Sequence, residues 1–137
     1  MLQKLAGPTV TFSGRLSDRE VAAKFEGCRA FILPGEEDFG LTPLEANAAG
    51  RPAVAFARGG ALDTVRDGET GVLFHEATVD SLARALRAVA ERSWDAPALR
   101  AHAETFSESV FAARFRGALQ SAMENRSLGR LGADDDR

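Results

Sequence analysis

Pro34-Gly-Glu-Glu-Asp-Phe-Gly-Leu-Thr-Pro-Leu-Glu-Ala-Asn-Ala-Ala-Gly-Arg-Pro-Ala-Val54 sets two carboxylates, Glu37 and Glu45, around a Phe-Gly turn. The short apolar run before it, Ala30-Phe-Ile-Leu33, is closed by Pro34 and Gly35 and reads as a buried strand. Leu41 to Ala49 reads as a helix closed by Gly50, and Pro52 to Phe56 as the next strand. Strand, turn, helix and strand in that order form the repeating unit of an α/β sheet. In such sheets ligands gather at the carboxyl ends of strands and at helix N-termini. Two acids held there suit polyhydroxy groups, because a carboxylate accepts two hydrogen bonds at once.

The same alternation extends outward. Thr9 to Phe12 is an expected strand, and Ser17-Asp-Arg-Glu20 is a capping box that predicts a helix from Asp18 to about Gly27. After Phe56, Arg58-Gly-Gly60 is a turn, Ala61 to Arg66 a short helix, Asp67-Gly68 a second turn and Gly71 to Phe74 a further strand. Thr78 caps an amphipathic helix with Leu82, Leu86 and Val89 on its inward face. Pro97 opens a helix to about Thr105, and Ser107 caps another carrying Val110, Phe111, Phe115 and Leu119 at helical spacing. Those phenylalanines and Trp94 read as core. Residues 1–124 are expected to form one α/β domain, a parallel sheet flanked by helices with right-handed crossovers, and residues 125–137 a flexible tail.

Composition narrows the class. A chain of 137 residues, 45% hydrophobic and 27% charged, fits one ordinary globular domain. No apolar run approaches the ~20 residues a bilayer span needs, and the first residues lack a signal-peptide core. Cys28 is the only cysteine, so no internal disulfide can form and a cytoplasmic home is expected. A net charge of −3 gives no case for nucleic acid. His75 and His102 are not spaced with other ligands, so neither a metal nor a cofactor is expected. Cys28, at a helix end before a strand, reads as packing rather than a nucleophile.

The segment Glu37-Asp-Phe-Gly-Leu-Thr-Pro-Leu-Glu45 resembles the E-x7-E signature of retaining, nucleotide-sugar-dependent glycosyltransferases of GT-B architecture, the group 1 or family 4 type. The resemblance continues through Val10-Thr-Phe-Ser-Gly14, Pro52-Ala-Val, Gly59-Gly60, Asp67-Gly68 and Gly71-Val-Leu-Phe74, covering roughly residues 5–90. Two glutamates eight apart mean little alone; with E-D-F-G, E-A, G-x-P and Gly-Gly in order the signal is specific. GT-B enzymes have two Rossmann-like domains and this chain can hold one. The resemblance therefore implies part of the C-terminal, donor-binding half, with the N-terminal acceptor domain and two central strands missing. That loss would invite self-association, strand exchange, or direct pairing of Thr9–Phe12 with Ala30–Leu33. The fragment alone is expected to be inactive.

Residue by residue, the resemblance makes Glu45 the acceptor of ribose hydroxyl hydrogen bonds and places Glu37 at the donor sugar, stabilising an oxocarbenium-like transition state. Phe39, Gly40, Leu41 and Thr42 offer backbone N–H groups to the diphosphate, and Gly59 and Gly60 line the same site. Bland readings stand beside these. Thr42-Pro-Leu-Glu45 is itself a capping box, with Thr42 as N-cap, and that duty could alternate with ribose binding. Glu37 could belong to a solvated acidic loop, as Glu36 and Asp38 are expected to, and Gly59-Gly60 could be only a tight turn. The stretch Gly59-Gly-Ala-Leu-Asp-Thr-Val65 is similar to bacterial mannosyltransferases of polysaccharide assembly, which implies GDP-mannose or a UDP-sugar as donor. A nucleotide-sugar epimerase shares the architecture, but the E-D-F-G…E-A pattern is the transferase version. The rival of another class is a non-catalytic, truncated α/β nucleotide-binding or assembly module.

Overall fold

Ala53–Phe56 is apolar at every position and buried at every position. A strand covered on both faces has no solvent side to leave polar, which is why it reads as a run and not an alternation. The computed structural model, which describes residues 2–131, makes this strand (β2) the centre of a three-stranded parallel sheet. It lies between β1 (Phe31–Leu33) and β3 (Gly71–Phe74), with Phe31 opposite Ala53 and Ala53 opposite Gly71. Six α-helices accompany the sheet: α1 (Asp18–Gly27), α2 (Leu41–Ala48), α3 (Ala61–Thr64), α4 (Val79–Glu91), α5 (Ala96–Glu104) and α6 (Glu108–Leu131).

The two faces of β2 build two cores. Val54 and Phe56 pack with Phe74 and with Ala85 and Val89 of α4, the Phe56 and Phe74 rings lying 5.3 Å apart. Ala53 and Ala55 pack with Ala61 of α3 and with Val65. Small alanines on this second face let α3 lie close to the sheet, and α5 packs along α2. Each buried Val or Phe side chain contributes roughly 1.5–3 kcal/mol through removal from water. The result is the expected α/β class, a Rossmann-like parallel sheet flanked by helices.

Helix ends follow local chemistry. The Ser17 N–H and hydroxyl both donate to Glu20 Oε2, at 2.8 and 2.7 Å, and the two bonds hold the Glu20 carboxyl below its ordinary pKa. Thr78 Oγ1 accepts from Ser81 N–H, and Asp95 Oδ1 from Ala98 N–H beside Pro97. After α2 the Gly50 N–H donates to Asn47 O and the Arg51 N–H to Ala46 O, both 2.8 Å, closing the helix where glycine was expected to.

Three expectations fail. Thr9–Phe12 is not a strand and does not pair with β1; Val10 and Phe12 are 53% and 46% exposed. An extended segment needs a neighbour for its N–H and C=O groups, and none of the described strands lies beside it. β1 is a strand but not the buried one expected: with one edge open, Ile32 is exposed and Phe31 and Leu33 are only partly covered. Phe111, Phe115 and Leu119 of α6 are not core but exposed, because helical spacing marks an apolar face without supplying a surface to cover it. Helix α6 extends to Leu131, and the rest of the expected tail, residues 132–137, lies outside the described residues.

Candidate functional site

Helix α2 begins at Leu41 as expected, but its cap is Gly40 and not Thr42. Gly40 is the N-cap and takes a left-handed conformation (φ 81°) that side chains with a Cβ rarely adopt. An added Cβ there would lie 2.6 Å from Thr64 Oγ1 and 2.9 Å from Gly60 O. Gly60 itself has ordinary helical angles, yet a Cβ on it would overlap the Phe39 carbonyl group outright. Gly59 forms an isolated parallel bridge with Glu37, and Gly60 N–H donates to Glu37 O at 2.7 Å. The loop after β1 and the loop after β2 are thus clasped backbone to backbone, at the carboxyl ends of adjacent parallel strands. The close approach that glycine permits is to the neighbouring loop.

Glu37 sits on this clasp, and Glu45 stands one turn into α2 beyond it. Glu37 is half-buried, and its Oε2 accepts from the Thr42 hydroxyl at 3.3 Å. That bond removes the Thr42–Glu45 capping box: with Gly40 as N-cap, Thr42 and Glu45 both lie inside α2, and the Thr42 hydroxyl turns back to Glu37. Any alternation between capping and binding falls with it. Glu45 is exposed, its carboxylate unbonded among the described residues, and it borders a cleft of about 430 Å³ between α1 and α2 lined also by Asp18, Ala22 and Phe25. Leu41 and Thr42 open the helix, where N–H groups have no intrahelical acceptor, and Pro43 contributes none. Phe39 and Leu41 flank this point, 57% and 56% exposed. Glu36 and Asp38 face solvent, as expected.

Two buried polar residues complete the support: Asn47, not singled out from sequence, and His102, considered there only as a metal ligand. Asn47 Nδ2 donates to Arg51 O at 2.9 Å and to Thr70 O at 3.0 Å, tying the end of α2 to the entry of β3. His102 of α5 lies 2.8 Å by Nε2 from Thr64 O. Thr70 and Thr64 lie 23 and 38 residues from Asn47 and His102, so no local pattern marks these two bonds. Cys28 is half-buried, its thiol donating to Phe25 O, and burial pushes its pKa up, as suits packing better than nucleophilic attack. Among the described residues no three of His, Cys, Asp or Glu converge to hold a metal ion, and no helix is long and apolar enough to cross a membrane.

Residues 1–106 match the family model of glycosyl transferases group 1. The chain belongs to this family. Among curated relatives, it is 35% identical over 136 residues to a D-inositol 3-phosphate glycosyltransferase of Streptomyces coelicolor, covering 90% of this chain and 29% of that protein. It is 45% identical over 53 residues to the alpha-1,3/1,6-mannosyltransferase ALG2 of Dictyostelium discoideum, 39% of this chain and 13% of that one. Among solved structures it superposes on sucrose-phosphate synthase of Thermosynechococcus elongatus with a TM-score of 0.61 and 29% identity, over 95% of this chain and 33% of that one. The chain thus spans about a third of the length of the D-inositol 3-phosphate glycosyltransferases it matches. Sugar transfer is the family's chemistry.

Proposed function

We propose that this group 1 domain binds the nucleoside-diphosphate sugar of a retaining glycosyltransferase, serving as the donor half of a larger enzyme. Glu45 accepts hydrogen bonds from the ribose hydroxyls. Glu37 faces the sugar, where its charge stabilises the cationic anomeric centre of the transition state. The N–H groups of residues 39–42, at the positive end of α2, hold the diphosphate, and Gly59 and Gly60 form the wall opposite. Fixed N–H dipoles do there what a bound cation does in metal-dependent transferases, so no metal is assigned. The donor is GDP-mannose or a UDP-sugar. The acceptor is a glycan, a lipid or a small polyol phosphate of the kind named for the Streptomyces relative. Acceptor and transfer belong to a second domain, and the 137-residue chain alone turns over no donor, because catalysis needs both sets of groups positioned together.

The observation that supports this reading best is the clasp itself: Glu37, held by the Thr42 hydroxyl, stands on a loop clasped to its neighbour with no room for a side chain, and it leads directly into the helix that carries the free Glu45. A solvated acidic turn has no need of such rigidity. Backbone NMR of the labelled chain titrated with GDP and with UDP tests it. Shifts concentrated at residues 37–45 and 59–60 are expected. Shifts elsewhere, or none with either nucleotide, would remove the donor-site assignment.

A further inference from the structure

We propose that His102 is a positioning residue for Glu37, acting through Thr64 and the Gly59–Gly60 loop; its functional consequence rests on the donor-site reading above. His102 is 6% exposed and 38 residues from its partner, Thr64. A carbonyl oxygen only accepts, so Nε2 carries the proton and donates to Thr64 O at 2.8 Å. The remaining nitrogen, Nδ1, is buried with no partner among the described residues. A histidine serving only to fill space would be better replaced by an apolar residue, which leaves no nitrogen orphaned. Its single bond therefore has a purpose.

That purpose follows from the length of α3. Four residues make one turn, too short to hold itself, and its last carbonyls have no helical donor. His102 supplies one. From Thr64, 1% exposed, the hydroxyl donates to Gly60 O at 2.9 Å, and Gly60 N–H donates to Glu37 O at 2.7 Å. The Phe106 ring, 5.4 Å from the imidazole and edge-on, fixes the orientation of the first donor. The line from α5 to the backbone of Glu37 is continuous, and every link is directional. His102 is itself none of the groups assigned to the donor, yet a change there reaches Glu37 through Thr64 and the Gly60 wall.

Amide hydrogen exchange on the full chain, with GDP titrations in parallel, tests this in His102→Leu and His102→Gln. Loss of the donor in His102→Leu should speed exchange of the Gly60 amide by about tenfold relative to the Val54 amide, the reference in the sheet. Gln reaches the same carbonyl with an N–H and should restore Gly60 to within about twofold. GDP affinity should fall by about fivefold in the Leu variant and recover with Gln. Should Leu prevent folding, His102→Asn, whose amide is too short to reach Thr64 O, takes its place. Gly60 exchange that follows Val54 in every variant, or Gln and Leu behaving alike, would overturn the assignment. If the wild-type chain binds neither GDP nor UDP, the donor-site reading fails separately and exchange alone decides the role of His102.

Discussion

The clasp and helix α6 are opposite solutions to the same problem of where apolar and backbone groups go. At the clasp, two loops meet through main-chain atoms, and Gly60 has no space for even one methyl group. Along α6, Phe111, Phe115 and Leu119 are 64%, 54% and 49% exposed, and a Cβ on Gly117 would meet nothing within 4 Å. One region is determined by contacts between segments distant in sequence. The other is held by its own helical hydrogen bonds. Rigidity therefore concentrates at the loop that carries Glu37 and starts α2, as a site for a polar ligand requires.

Substitutions with identical chemistry measure that contrast. Gly60→Ala should destabilise by about 3 kcal/mol or more, since the Phe39 backbone cannot yield as a side chain would. Gly117→Ala should stabilise by about 0.5–1 kcal/mol, the ordinary gain of alanine over glycine in an open helix. Denaturant unfolding of the two variants reads both, and equal effects would erase the distinction between the regions. Phe115→Ser on the exposed stripe should change stability by no more than about 0.5 kcal/mol. A larger loss would mean that α6 is packed more tightly than its exposure says.

The smallest effect lies at the start of α1. Glu20 has a lowered pKa in the folded chain because Ser17 donates two hydrogen bonds to it. Its contribution is complete above the ordinary value of 4.5 and is lost as pH falls through the lower folded value. Glu20→Gln should lower stability slightly at neutral pH, where that contribution is complete, and so flatten the acid limb, leaving the low-pH end nearly untouched. Thermal melts between pH 3 and pH 7, as a function of pH, would show it, and a slope unchanged by the variant would remove the capping box from the account.

How much of this was legible in the sequence differs by element. β2 and β3 were, because an apolar run bounded by Pro52 or by Gly71 has little choice of structure. The capping box at Ser17 was, because both of its partners are local. The equally good pattern at Thr42–Glu45 was misleading. What decides the start of α2 is Gly40 wedged against Gly60 and Thr64, and that crowding is tertiary. Thr9–Phe12 alternates like a strand, but alternation states which side would be buried and not whether a neighbour exists. The positions of Glu37 and Glu45 were readable. What holds them was not, since Asn47 and His102 act on carbonyls 23 and 38 residues away.

The central claim is that Glu45, released from capping by Gly40, is free to hold a ribose. Titration calorimetry of GDP and UDP against the wild-type chain, Glu45→Ala and Glu45→Gln tests it most directly. Two hydrogen bonds to a carboxylate are together worth roughly 2–3 kcal/mol, so the Ala variant should bind about 30- to 150-fold more weakly and the Gln variant should lose less. Equal affinities in all three proteins would contradict the claim.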